Sequence, residues 1–404
     1  MRHVANQQLP VVTAVKSIKQ SFQPTLETLR MMETFRQMVN DCIRIGLVNN
    51  ISTMKKLCNL AYKQLASYHI ISYYKLCAIS HAAGILANRK KSIIRGLQPR
   101  QPHATRPLLV SCYGFKIVDG ILKIPRGNKL YFDIALNSYV RKVLSDPLFK
   151  IHSFTLTAEA LSICISKQVV EIECSGIKGV DRNLLNLTVG SCQQVEQYDL
   201  SKAVDIAENT RSIMKSFKRN DVRIRKKLYG KYGKRRKNRI IQLLHHVSKA
   251  VVKRVKENKI AIAFEDIRRI RKLYQRGNYQ GRTYRGKMNS WSFAEIKRQI
   301  EYKAAWEGVP IIQLSVAETR GTSQLCPRCG KKITQADRRQ LLCDQCKKWM
   351  DRDVVAAMNL SIKGLARFAS SQGLAGEAMK GNPTTPVILR VDASKLCLWD
   401  QPKT

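Results

Sequence analysis

Acidic residues are scarce in this chain: 29 Asp+Glu face 72 Lys+Arg across 404 residues, a formal net charge of +43. No run reaches the ~18 uninterrupted apolar residues that a membrane-crossing helix requires. The nearest approach, Ile70 to Ala87, is interrupted by Lys75 and His81 and reads as a buried helix instead. The N-terminus also lacks the charged, apolar and small-residue succession of a signal peptide. The expectation is a chain with no membrane partner, working in the cytoplasm.

The composition excludes a second class. With 44% hydrophobic residues the chain has too much apolar material for a disordered basic tail. At ~100–200 residues per domain, two or three cores are expected. A charge this one-sided makes a compact state repel itself unless a polyanion compensates it, and nucleic acid is the obvious counterion. Cys42, Cys58, Cys77, Cys112, Cys164, Cys174, Cys192 and Cys397 are scattered without pairing rhythm, which excludes a disulfide framework and fits small hydrophobes in a reducing compartment.

Patterning divides the remainder. An early strand is expected at Val11 to Ser21. From Pro24 to about Gly96, Met31, Phe35, Met38, Cys42 and Ile45, then Met54, Leu57, Ala61, Leu65 and Tyr68, recur at the spacing of three and four that marks one helix face. A Gly/Pro/Gln-rich linker, Arg95 to Arg106, precedes short β-type runs, including a hairpin turning at Asp119-Gly120 and strands within Ser153 to Ser166. Residues 108–170 read as a small barrel or sandwich, with the helices as its insertion. From Ile177 strands and helices alternate as in an α/β domain. Between Arg211 and Asn258 lie 18 Lys+Arg and two acids, Asp221 and Glu257, with an apolar stripe Ile240, Leu243, Leu244, Val247, Val251. Like charges at i,i+4 destabilise a helix, so this excess points to a bound polyanion. A further helix is expected over Ser290 to Glu307, stopped by Gly308, then a strand at Ile311 to Val316. The Gly/Pro-rich tail after Ser370 is expected to be loosely ordered.

Cys326-Pro-Arg-Cys329 and Cys343-Asp-Gln-Cys346 are two C-x-x-C knuckles separated by thirteen residues. Two intervening residues let both thiolates of a turn face one ion, and four thiolates close a tetrahedral Zn²⁺ site with no open position, hence a structural one. Arg328, Lys331, Lys332, Lys347 and Lys348 surround it and suit a nucleic-acid-facing ribbon. Four acids stand out by position. Asp181 ends the run Ile177-Lys-Gly-Val, Glu265 ends Ile260-Ala-Ile-Ala-Phe and shares a face with Ala261 and Ala263, and Asp351 and Asp353 open a helical pattern, Val354 to Leu365. Carboxylates gathered at strand ends would offer the hard oxygen ligands that Mg²⁺ needs, and two such ions cut phosphodiesters. Read singly, each acid is more often a helix cap or a surface group than a metal ligand.

Taken together these residues resemble a known family. Gly179-Val-Asp181 with Asn183-Leu-Leu-Asn-Leu187 resembles the first RuvC motif of the TnpB family, transposon-encoded RNA-guided nucleases related to type V CRISPR effectors. Ala263-Phe-Glu265-Asp-Ile resembles the second motif, and Asp351-Arg-Asp353-Val-Val-Ala-Ala-Met-Asn359 the third. Asn289-Ser-Trp-Ser-Phe-Ala-Glu-Ile, Ile300-Glu-Tyr-Lys, Gly308-Val-Pro and Thr322-Ser-Gln-Leu-Cys-Pro-Arg-Cys329 resemble the family's most recognisable stretch. The resemblance implies a mixed, multi-domain fold: an α/β RNase H-like (RuvC) nuclease domain with an inserted zinc ribbon, preceded by a β-barrel-like wedge domain carrying a helical recognition insertion. The implied boundaries are 1–22 and 101–170 for the wedge, 23–100 for the insertion, 171–319 and 351–370 for the nuclease with 201–258 as its basic helical part, 320–350 for the ribbon, and 371–404 for the tail.

The family also implies that Asp181, Glu265 and Asp353 are catalytic and hold Mg²⁺, Asp353 being chosen over Asp351 because it precedes the Ala-Ala pair. The family's usual Asn two residues later is Val355 here. The implied partners are a guide RNA and target DNA, with the protein a monomer on its RNA in a prokaryotic nucleoid. Arg223, Arg225, Lys226, Lys227 and Arg328 are the expected contacts to nucleic acid. Two rival readings share the scaffold: an RNA-guided DNA-binding regulator that does not cut, and a protein-only DNA-binding transposition factor.

Overall fold

The computed structural model describes residues 10–217, 222–267, 270–335, 339–371 and 387–393. The chain divides into two compact units, Thr13–Gln168 and a second built from residues 1–12 and 169–404. Among the described residues no helix is long and apolar enough to cross a membrane.

The first unit opens with β1 (Val11–Ser21), then α1 (Leu26–Val48), α2 (Met54–Ala61) and α3 (Ser72–Ile94). Thr25 caps α1, its hydroxyl accepting from the Thr28 amide at 3.2 Å. Phe35, Met38, Cys42 and Ile45 are buried on one face of α1, as their spacing predicts, but the stripe starts at buried Met32 rather than at half-buried Met31. Next come β2 (Leu108–Ser111), β3 (Lys116–Val118), β4 (Ile121–Gly127), β5 (Leu130–Ala135), α4 (Ser138–Leu144), β6 (Lys150–Thr157) and β7 (Ala160–Val170). The turn at Asp119-Gly120 has both φ angles positive, at 51° and 74°, as a tight hairpin requires. The strands form two separate sheets, β1-β7-β6-β2 and β3-β4-β5, with no ladder between them to close a barrel. A side chain takes the place of a ladder at that seam: buried Gln20 on β1 donates to Ala135 O at 2.9 Å and accepts from Asn137 N at 3.0 Å.

The second unit carries β8 (Gly176–Arg182), β9 (Asn186–Gly190), β10 (Gln194–Asp199), α5 (Ser201–Ser216), α6 (Val222–Glu257), β11 (Ile260–Phe264), α7 (Arg282–Ser290), α8 (Phe293–Glu307), β12 (Ile311–Gln313), β13 (Thr334–Gln335), β14 (Gln340–Cys343), β15 (Lys348–Asp351), α9 (Arg352–Ser371) and β16 (Val387–Asp392). Six strands form one sheet in the order β12-β11-β8-β9-β10-β16. β8, β9 and β10 are antiparallel neighbours, whereas β11 runs parallel to β8 and β12 parallel to β11. α6 and α8 cover one face with Leu243, Val247, Val251, Ile296 and Ile300. A buried ion cluster pins α6 to the sheet: Glu196 of β10 accepts from Lys178 Nζ at 3.0 Å, Tyr198 Oη at 2.6 Å and Arg254 at 2.7 Å. Three partners around one carboxylate offset the desolvation that an isolated buried charge would suffer.

α9 crosses the other face at unusually close range. A Cβ added to Gly179 would meet Ala357 O at 2.2 Å, and one on Gly364 would meet Ala263 Cβ at 2.6 Å. The Ser361 hydroxyl donates to Ile177 O at 2.5 Å. Small residues at the sheet contact, Ala357, Ser361 and Gly364, therefore bring the middle of α9 down against β8 and β11.

Several expectations need correction. The helix expected from Ser290 begins at Phe293, because Trp291 takes an extended conformation that buries its ring 5.2 Å from Phe293. The strand expected through Val316 ends at Gln313, since β11 has no residue left to pair and Ser315 opens a turn accepting from Thr319 N. The tail after Ser370 is not wholly loose. Val387-Ile-Leu-Arg-Val391, a β-prone run, pairs with β10 in parallel register, while residues 372–386 and 394–404 lie outside the described residues.

Candidate active site and cysteine metal centre

The sheet register places two of the acids. Ala263 pairs with Gly179 and Phe264 with Val180, so Glu265 and Asp181 follow at the same ends of neighbouring parallel strands, ~4.8 Å apart in the pairing direction. Alternation sends both to the α9 side, with Ile177 and Gly179 on β8 and Ala261 and Ala263 on β11. Asp353 arrives from the first turn of α9 and is 2% exposed. A polar chain joins the ends: Asn183 donates to Asp181 Oδ2 at 2.6 Å and to Asn186 Oδ1 at 3.2 Å, and Asn186 donates to Asp353 Oδ2 at 3.0 Å. Thr188 adds a bond to Asn186 Oδ1 at 3.2 Å.

Electrostatics shows how closely the acids sit. Burial, then the charges of Glu265 and Asp353, pushes the Asp181 carboxyl up to about 8. Burial likewise raises Glu265 and Asp353. Carboxyls crowded in this way are poised to gain from a cation, since a positive charge nearby favours their ionised forms. Two arginines supply part of that charge. Arg182, buried beneath β8, donates to Glu265 O at 2.9 Å and to Phe293 O at 3.2 Å. Arg339 donates to Asp353 Oδ2 at 2.5 Å, carried there because Arg352 N bonds Arg339 O at 2.8 Å beside the β14–β15 ladder.

The donor set suits a hard divalent ion, but the carboxylates do not form a closed ligand cluster. Among the described residues, the four cysteines are the group whose ligand atoms all lie within 4.8 Å of one another. The oxygens of Asp181, Glu265 and Asp353 therefore do not all lie within that distance of one another, while Asp353 is held by Asn186 and Arg339.

Asp351 has a different place. Its Oδ1 accepts from Asp353 N at 2.9 Å and Val354 N at 3.1 Å, the geometry of an N-cap. Asp351→Ala is expected to cost about 1 kcal/mol locally, read as faster amide exchange at Asp353 and Val354, with a smaller effect on activity than loss of Asp353.

The cysteine knuckles face each other, with Cys326 Sγ 3.8 Å from Cys346 Sγ and Cys329 Sγ 3.6 Å from Cys343 Sγ. Those are the sulfur separations of a tetrahedral site with ~2.3 Å metal–sulfur bonds, so the four thiols can hold a zinc ion. The residue after the second cysteine of each knuckle is left-handed: Gly330 at φ 71° and Lys347 at φ 50°. Buried Val355 of α9 packs among Cys326, Ile333, Leu341 and Cys343. Its apolar side chain belongs to the core of the ribbon. One turn on, Asn359 donates to Thr322 O at 2.7 Å and Leu325 O at 2.8 Å, and Lys363 reaches the carbonyls of Glu318 and Arg320. One face of α9 thus holds the ribbon while the other holds the sheet.

The remaining site residues from the sequence lie on other elements. Arg223, Arg225, Lys226 and Lys227 occupy the first two turns of α6, and Arg328 is exposed on the first knuckle. No residue from 222 to 239 is buried, although that half of α6 carries ten Lys+Arg. Asn183, Asn186, Arg182 and Arg339 were not singled out as site residues by the sequence. The only available signal was their position within or beside the acidic motifs.

Residues 293–360 match the family model of the Cas12f1-like TNB domain. A TnpB-like protein of Methanocaldococcus jannaschii is 28% identical over 253 residues, covering 59% of this chain and 88% of that protein. A second TnpB-like protein of the same organism is 23% identical over 210 residues, or 51% of this chain and 47% of that one. The Cas12f1 chain of a cryo-EM complex with sgRNA and target DNA superposes with a TM-score of 0.52 at 12% identity, over 83% of each chain. The fold is therefore that of a multi-domain protein of the Cas12 effector type with a four-cysteine cluster. The chain is thus similar to TnpB-like proteins over more than half of its length, and to the Cas12f1-like TNB domain over residues 293–360.

Proposed function

We propose that the protein is an RNA-guided DNA endonuclease, with the sheet and α9 forming an RNase H-like domain and the ribbon binding structural zinc. The observation that carries the reading is the convergence of Asp181, Glu265 and Asp353 from two strand ends and a helix start, in a chain that is similar to TnpB-like proteins and has a charge of +43. Divalent ions such as Mg²⁺ bound there would supply activation of water and stabilisation of the leaving oxygen. The chain's own groups orient the reaction. Asn183 and Asn186 fix the rotamers of Asp181 and Asp353, and Arg182 braces the Glu265 backbone. Arg339 holds a guanidinium at the carboxylate where a scissile phosphate would approach, a planar donor suited to phosphate oxygens. Guide pairing would read the target while the protein holds backbone.

The deciding experiment is to sequence RNA copurifying with the protein, then incubate that complex with matching DNA and Mg²⁺. Defined RNA and guided cutting are expected. Defined RNA without cutting would favour the regulator, and DNA binding without RNA the transposition factor.

The exposed half of α6 is assigned to phosphate contact. Neutralising Arg223, Arg225, Lys226 and Lys227 together is expected to weaken nucleic-acid binding and to reduce the log–log salt slope by roughly one unit per lost contact. Sequence preference should not change, because phosphate contacts carry no base information. An unchanged salt slope would reduce this stretch to a solvated helix face.

A further inference from the structure

Between Glu265, where the chain leaves β11, and Phe293, where α8 begins, the chain makes an excursion that none of the roles above requires. Residues 267–294 contain eight Lys+Arg and no Asp or Glu. The excursion is anchored at its base. Lys287 of α7 pairs with Glu208 of α5 at 2.7 Å, Met288 and Trp291 are buried, and Tyr274 and Tyr284 meet edge-on at 5.9 Å. The excursion leaves the sheet at Glu265 itself, directly after β11, so its base starts at the strand ends that carry the carboxylates.

At its tip the usual preferences of an aromatic residue are reversed. Tyr279 is 106% exposed, and its backbone is left-handed at φ 53°, just after Gly277 at φ 101°. A bulky side chain pays in conformational energy for that geometry, and a ring standing in water gains nothing from burial. Backbone strain of this kind concentrates where a surface is built to hold something. Exposed Arg276 and Arg282 flank the ring.

We propose that residues 274–284 form a platform for single-stranded nucleic acid, with Tyr279 stacking on a base and Arg276 and Arg282 tracking the phosphates as the strand enters the carboxylate site. The proposal deepens the nuclease reading and rests on it for the identity of the strand. Aromatic rings among cations bind single strands with little sequence choice, because every base offers a π-face. A duplex keeps its bases stacked internally and would not engage the ring.

The test uses the full-length protein and a fluorescein-labelled oligothymidylate of about 16 nucleotides, followed by anisotropy across a salt series. Tyr279→Ala is expected to weaken binding about fivefold or more. The salt slope should not change, because no charge is lost. Tyr279→Trp should bind as well as the wild type. Tyr279→Asn, which accepts a left-handed backbone, should bind as poorly as the Ala variant, separating stacking from strain. The side chain at this one position is in solvent, so thermal unfolding of all three variants should match the wild type. Binding unchanged in the Ala and Asn variants overturns the platform, as does a Trp variant as weak as Ala. If guided cutting by the wild type persists in that case, the nuclease reading stands without the platform. Failure of the wild type to cut any guided target refutes the nuclease reading separately, while dependence of oligothymidylate binding on Tyr279 still decides the platform.

Discussion

Asp181→Ala, Glu265→Ala and Asp353→Ala should each lose guided DNA cleavage by about 10³-fold or more, the rate equivalent of the several kcal/mol that metal-stabilised charge supplies. On the proposed reading each substitution removes a metal-ligand oxygen and leaves the phosphate-contacting surface intact, so guide and target affinities should stay within about twofold of wild type. The isosteric Asp181→Asn should fail as well, although it keeps the size of the side chain and the contact with Asn183. Cleavage time courses beside filter-binding measurements decide the matter. Full cleavage by Asp353→Ala together with a dead Asp351→Ala would show that the third ligand is misassigned and that Asp351 is more than a helix cap.

The second large effect is expected at the ribbon. Cys343→Ser should lower zinc content from about one per chain to near zero, since three thiolates leave a closed site incomplete. Folding of such ribbons is coupled to metal, with apparent binding energies of about 10 kcal/mol or more. The consequence should spread beyond residues 324–350. Val355 would lose its apolar neighbours and Arg339 its route to Asp353, so amide protection should fall at the start of α9 and cleavage should fail together with it. Elemental analysis and hydrogen exchange read both effects. Wild-type protein purified without chelator and free of zinc would overturn the metal assignment.

The sequence was most informative where chemistry depends on local spacing. The doubled C-x-x-C announces the four-thiol cluster, and the stripes of α1 and α6 announce their buried faces except at Met31. It was less informative where function depends on pairing between distant segments. Asp181 and Glu265 are 84 residues apart, and only the parallel register of β8 with β11 makes them neighbours. The family resemblance supplied that pairing in advance; composition alone left each acid a plausible cap. Asp351 is in fact one. Arg339 was invisible because its relation to Asp353 runs through a strand ladder inside the ribbon. The strand Val387–Asp392 was hidden by the Gly/Pro-rich segment preceding it, although its own residues are β-prone. Val355 reads as a departure from a motif until the packing shows which core it enters.

The contacts of α9 at Val355, Asn359, Lys363 and Arg367 recur every four residues, and Arg367 completes the series with a 2.8 Å pair to Glu318. Each residue of an α-helix turns ~100°, so inserting a single residue between Asp353 and Val355 would swing the carboxylate a quarter-turn or more away from the strand ends while the ribbon stayed in place. The interval is thus intolerant of length change even though its residue types can vary. For chimaera construction, ribbons from related proteins should transplant only when the exchanged cassette extends from Ser315 through Arg367, with junctions in the approach turn and beyond the last contact. A swap cut at the cysteines alone would join two phase-mismatched halves.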